Sequence, residues 1–317
     1  MYIVFAALSA VFSALTAILS KRGLKNINPN LAVFIRTGVV LLFIWGIVFA
    51  TGVHTTIQNL TNTNILYLTL SGCATGCSWL CYFKALSIGN VNKVAAVDKS
   101  SVTLSMIIAF IFLHESITMF KIAGLIAVTA GTYLMLDKKT VAIKSEDKNK
   151  YSWFIFALLS AVFAALTSIL AKVGLKGVNS DLGTAIRTCV VFVFAGIVAV
   201  ISIWINSRQK AKGFLDTNES TIITAPNDEI VIPHKKLVFS DKKGFLFLLL
   251  SGIATGSAWI FYFRALNLGE ASVVAPIDKT SIVFTVLASW IILKEKVSKK
   301  TAIGLIILSA GGILVVF

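Results

Sequence analysis

Apolar residues run along this chain in long blocks, and the charged residues gather in the short gaps between them. Ten blocks stand out, roughly 2–20, 31–51, 64–83, 91–113, 119–136, 152–171, 182–204, 244–263, 271–293 and 301–317. About 20 consecutive apolar residues carry a helix across a bilayer core, so each block predicts one membrane-spanning helix. The longest polar interruption is 205–243, rich in charge and containing Pro226 and Pro233. Within it, TIITAPNDEIVIP has the turn chemistry of a hairpin and equally the polarity of a disordered loop.

The pattern is written twice. FAALSAVFSALTAILSKRGLKNINPNLAVFIRT (5–37) returns as FALLSAVFAALTSILAKVGLKGVNSDLGTAIRT (156–188), an offset of 151. SGCATGCSWLCYFKALSIGNVNKVAAVDKSS (71–101) returns as SGIATGSAWIFYFRALNLGEASVVAPIDKTS (251–281), an offset of 180 that also relates AGLIAVTAGTYL (123–134) to AIGLIILSAGGIL (302–314). The difference of 29 residues is an insertion in the second half, inside 205–243. Five helices per copy is an odd number, so the second copy enters the membrane from the opposite side. The expectation is an all-α membrane protein of about ten transmembrane helices, built as two inverted five-helix repeats. These are 1–137 and 152–317, joined by a basic linker at 138–151, with the polar insertion in the second. Such repeats are typical of secondary transporters, whose site lies at the repeat interface.

Composition agrees with a membrane protein: 57% of the residues are hydrophobic, against 45–50% in soluble domains, and the mean hydropathy is +0.87. The net charge of +15 would suit nucleic acid, but its distribution does not. Of 29 Lys and Arg, 20 fall in the loops between helices 1–2, 3–4, 5–6, 7–8 and 9–10, and 4 in the loops between. Positive loops stay in the cytoplasm, so the bias puts both termini outside. A multi-pass protein of the cell (plasma) membrane is expected, with lipid and a small-molecule substrate as partners, no nucleic acid, and a monomer or homodimer. The first block has no basic residues before it and no small-residue cleavage pattern, so it reads as a retained helix.

Little else points to chemistry. Cys73, Cys77 and Cys81 share a helix face, but Ile253, Ser257 and Phe261 replace them in the second half, so small-residue packing is the better account. His54, His114 and His234 lack metal-ligand spacing. No phosphate loop or nucleophile–base arrangement is present; no cofactor, metal or enzyme activity is expected.

The informative residues are charges inside apolar blocks: Arg36, Asp98 and Lys99, then Arg187, Asp278 and Lys279. A charge near the bilayer centre costs about 2.5–3.5 kcal/mol on insertion scales and normally pairs or faces a cavity. Neighbours in sequence point about 100° apart on a helix, so Asp98 and Lys99 need partners from elsewhere. Arg36 and Asp98 are expected to meet near one face, with Lys172, Arg187, Arg264 and Asp278 near the other, guarding two ends of one cavity. Structural pairing and a direct role in gating are the two readings. Ser100, Ser101, Thr280 and Ser281 either bind substrate or bond to their own helix. Trp79, Tyr82, Trp259 and Tyr262, at matched positions, either pack or line a path. Pro276, where the first copy has Ala96, is expected to kink its helix. Gly72, Gly76, Gly252 and Gly256 predict close helix packing. Glu115 and Glu295 are expected to cap the next helix, or to couple transport to protons.

The runs YFKALSIGN, VDKSSV and FLHE, with YFRALNLGE and APIDKTSIVFTVLASWIILKE, resemble the EamA family of the drug/metabolite transporter superfamily. The second set is similar in particular to half-length members, as if two had fused. The resemblance implies a ten-helix carrier with helices 3, 4, 8 and 9 around a central cavity, exporting amino acids, metabolites or drugs. It also implies both termini inside the cytoplasm, against the charge count. A non-transporting scaffold or sensor is the alternative.

Overall fold

The computed structural model describes residues 1–23, 29–88, 94, 97, 98, 100–135, 152–219, 242–293 and 299–317. Among them every regular element is helical: α1 (Tyr2–Gly23), α2 (Pro29–Ala50), a 3-10 segment (Val53–Asn59), α3 (Asn62–Ile88), α4 (Ser101–Phe112), α5 (Met119–Met135), α6 (Ser152–Gly174), α7 (Ser180–Glu219), α8 (Lys242–Leu268), α9 (Ala271–Lys279), α10 (Ser281–Leu293) and α11 (Lys299–Leu314).

Six of the described helices are long and apolar enough to cross a membrane, within α1, α2, α3, α6, α7 and α8. Their outward faces are apolar: Leu42 is 75% exposed and Val200 66%. A water-soluble surface does not leave such area uncovered, whereas lipid covers it. Three of the remaining predicted spans are shorter apolar helices, α4, α5 and α11. The predicted span 271–293 is not continuous; it divides at Thr280 into α9 and α10. The polar segment from 205 is helical at first, because α7 runs on to Glu219; the hairpin expected at 221–233 lies outside the described residues.

The helices pack in pairs that recur when the two halves exchange places. α3 packs on α6 as α8 packs on α1; α3 meets α7 as α8 meets α2; α4 meets α6 as α10 meets α1; α2 faces α7, and α5 faces α11. Small residues set these distances. A methyl group added to Gly72 would lie 2.7 Å from Val190 Cβ, and one at Gly252 would lie 2.7 Å from Val39 Cβ. Likewise, one at Gly76 would strike Phe194 and one at Gly256 would strike Phe43. On α5, Gly124 and Gly131 approach the carbonyls of Gly311 and Gly304 in the same way.

Candidate transport site

The break at Thr280 places the charges. The Thr280 hydroxyl donates to the Ile277 carbonyl at 2.7 Å, and its amide reaches the same carbonyl at 3.0 Å. The chain therefore tightens to three-residue spacing directly after Asp278-Lys279. Ser100 repeats this in the first half: its hydroxyl donates to Val97 O at 2.5 Å and its amide to the same atom at 3.0 Å. The second half has Pro276 and the first has Ala96, yet the tightened turn occurs in both, so the hydroxyl of Ser100 and Thr280, not the proline, is the feature the two turns share. Ser101 and Ser281 open the following helices, their carbonyls accepting from the Ser105 and Thr285 hydroxyls. Pro276 is buried inside α9, four residues before the break.

Each aspartate is held by the opposite half. Asp278 accepts from the Ser9 hydroxyl of α1 at 2.6 Å. Asp98 accepts from Ser160 of α6 at 2.9 Å. Ser9 and Ser160 are themselves equivalent positions. The expected contact between Arg36 and Asp98 is not formed: Arg36 donates to Ser20 at 3.1 Å, whose hydroxyl is 2.7 Å from that of Ser251. Arg187 donates to Ser71 at 3.3 Å and to Thr75 at 2.6 Å. Its guanidinium also lies 4.4 Å from the Phe263 ring centre and 5.3 Å from that of Trp259.

These residues surround one cavity of about 440 Å³ between the halves. Arg36, Arg187, Asp278, Lys279, Trp79, Trp259 and Tyr262 line it. Of the charges expected at two ends, Arg36, Arg187 and Asp278 thus share a single space, whereas Asp98, Lys172 and Arg264 do not line it. Arg36 and Arg187 are each seven residues into their helices, roughly 10 Å along the axis, so both lie within the long apolar spans. Tyr82 instead packs in an apolar cluster with Val94, Ala157 and Trp153. Lys99 and Glu295 lie outside the described residues.

The rest of the lining is hydroxyl-rich and was not singled out from sequence: Ser9, Ser13 and Thr16 of α1, Thr75 and Ser78 of α3, Thr167 and Ser168 of α6, and Thr255 of α8. Ser168 and the Tyr262 hydroxyl are 2.8 Å apart. The signal was available: Ser9, Ser13, Thr16 and Ser20 follow i, i+4, i+7, i+11 spacing, one face of a helix.

The end of the molecule where α6 and α8 finish, and α7 and α9 begin, is closed by polar contacts. Glu115 caps α9, from the other half and not the next helix as expected. Its carboxylate accepts from the Ala271 and Ser272 amides at 2.7 and 2.8 Å and pairs with Lys172 at 3.0 Å. His114, at φ 51°, turns the chain to aim it. Burial raises the Glu115 pKa, but hydrogen bonds from Ser272 and Ala271 and the Lys172 charge outweigh it, so the carboxyl is held below its ordinary range. The α5 start is served by Thr118. Arg264 donates to both Asp181 oxygens, at 2.8 and 2.5 Å, Lys121 pairs with Glu270, and Asn64 donates to the Gly174 and Lys176 carbonyls at 2.9 and 3.1 Å.

Long apolar helices wrapped around a charged, hydroxylated, solute-sized cavity define an integral multi-pass membrane protein. The model of the EamA-like transporter family matches residues 1–137 and 220–317, and the chain belongs to that family. An uncharacterised transporter encoded in the cobO 3' region of a Sinorhizobium species is 42% identical over 164 residues, which cover 51% of this chain and 95% of that protein. That relative is thus about half as long. A crystal structure of a protein only 14% identical superposes with a TM-score of 0.70, over 98% of this chain and 95% of that one; it shows a shared fold.

Proposed function

We propose that this chain is a secondary transporter of small organic solutes working by alternating access. It is built of ten spans in two inverted five-helix repeats, 1–137 and 152–317, and exports across the cell membrane. The observation that carries this reading is the cavity, lined by equivalent charged residues from both halves. Repeats of opposite orientation give one sequence two near-equivalent packings, one open to each side. The paired contacts that recur between halves support two such packings of similar energy. The half-length relative supports a duplicated origin. Five of the six candidate charges act here in two roles: Arg36, Arg187 and Lys279 present charge to the solute, while Asp98 and Asp278 tie their helices to the opposite half. Glu115 and Glu295 are candidate coupling carboxylates.

The test is flux in proteoliposomes, with pooled amino acids and organic acids, with and without a pH gradient. Asp278→Asn is expected to reduce flux at least tenfold while leaving the protein monodisperse. Unchanged flux in the double variant Asp98→Asn, Asp278→Asn would remove any role for these carboxylates.

A further inference from the structure

The charge inventory of the central cavity narrows the class of solute, resting on the transport reading above. Among the described residues, three cationic side chains, Arg36, Arg187 and Lys279, line the cavity against one carboxylate, Asp278. Among the described residues, neither guanidinium has a carboxylate partner. Arg187, only 2% exposed, is satisfied by two hydroxyls and two ring faces. Arg36 donates to a hydroxyl. Hydroxyls fill donor positions but bring no negative charge, and a ring face brings only its quadrupole. Asp278 already accepts from Ser9. An uncompensated charge at this depth is costly, and breaking the pairing of a buried charge is costlier still. The cavity therefore holds an excess of positive charge that a bound anion would offset.

The geometry points to an anion site in this cavity, with Arg36 and Arg187 as the binding groups and an organic carboxylate as the transported class. The two arginines are equivalent positions, one from each half, and both line the cavity. A guanidinium fork matches a carboxylate with two parallel hydrogen bonds. Trp79 and Trp259, also equivalent, supply apolar wall, which suits an organic acid over a bare ion. Because each half contributes one arginine, the site persists whichever half rocks, as a carrier needs.

The test uses the purified full chain in low-salt detergent. Benzoate, phenylacetate and succinate are compared with benzamide and benzylamine, and with chloride and phosphate, by thermal stabilisation and calorimetric titration. At least one carboxylate is expected to stabilise the protein, while benzamide and benzylamine do not. Arg36→Gln is expected to weaken that carboxylate at least tenfold. If Arg36→Gln does not purify, Arg36→Lys keeps the charge, loses the fork and is expected to weaken it several-fold. No carboxylate binding, or benzylamine binding as tightly, overturns the anion site. Stabilisation by chloride or phosphate that no carboxylate matches overturns the organic class. The two readings fail separately: flux of neutral solutes without carboxylate binding sinks only the anion site, and carboxylate binding without any flux sinks only transport.

Discussion

Glu115 illustrates how much one side chain does at the closed end. It accepts two amides at the start of α9 and neutralises Lys172, so it joins α4, α6 and α9 across the two halves. Bonds to a charged acceptor contribute about 1.5–3 kcal/mol, and Glu115→Gln is expected to cost about that much in detergent unfolding. The sign with pH follows from the lowered carboxyl pKa. Stability from this group is complete above the ordinary carboxylate range and drains away as pH falls through the lowered value. Melting temperature measured from neutral pH to pH 3 should therefore fall less steeply at the acid end in Glu115→Gln. A parallel fall in both proteins would show that the carboxylate is not stabilised by its amides. FLHE gave no hint of this partner: the cap lies 156 residues away in sequence, and a Glu after an apolar block reads first as belonging to the helix that follows.

At the scale of elements, two features are tied to single atoms. One is the close approach of α3 to α7. A methyl at Gly72 would sit 2.7 Å from Val190 Cβ and 3.0 Å from the Arg187 carbonyl, whereas one at Gly46 meets nothing within 4 Å. Gly72→Ala is expected to cost about 1–3 kcal/mol by overpacking, and Gly46→Ala to cost nothing measurable or to stabilise its helix. Equal melting temperatures would mean that α7 yields freely. The other is the helix break. Thr280→Val keeps the shape and removes the hydroxyl from the Ile277 carbonyl. It should slow turnover several-fold in flux assays with substrate affinity unchanged, while Pro276→Ala, one turn before the break, changes turnover less. The reverse order would return the break to the proline. The all-helical, membrane-spanning character and the charged positions were legible in the sequence because apolar length and repeated motifs are local signals. The break was not, since a Thr in an apolar run bonds to its own helix whether or not the helix continues. The hydroxyl stripe of α1 escaped for the same reason, although its spacing was in plain view.

For the whole molecule, one end of the cavity is tied by described polar contacts between helices. At the end where α7 and α9 begin, Asp181–Arg264, Glu115–Lys172 and Lys121–Glu270 tie helices together, and Asn64 fastens α3 to the end of α6. Under the alternating access proposed above, that end opens once per cycle, and each of these bonds has to break and re-form. The Arg264 pair is accessible to change, the Arg264 side chain being one-third exposed. Removing it should weaken the closed state without disturbing the cavity lining, to which neither residue belongs. A two-state equilibrium shifts tenfold for every 1.4 kcal/mol, so losing a partly buried pair of about 1–3 kcal/mol moves the population by one to two decades. The measurement is the labelling rate of Ser13→Cys, a cavity position on α1, in a background with the four native cysteines replaced. A membrane-impermeant maleimide is applied from the side bearing the termini of oriented vesicles. Asp181→Asn and Arg264→Gln are each expected to raise that rate at least fivefold, and the pair together no more than either alone, because both remove one interaction. Unchanged labelling would show that closure rests on apolar packing between the halves. The side from which the reagent works also reports where the termini lie, which decides between outward termini, as the charge bias of the loops favours, and cytoplasmic ones.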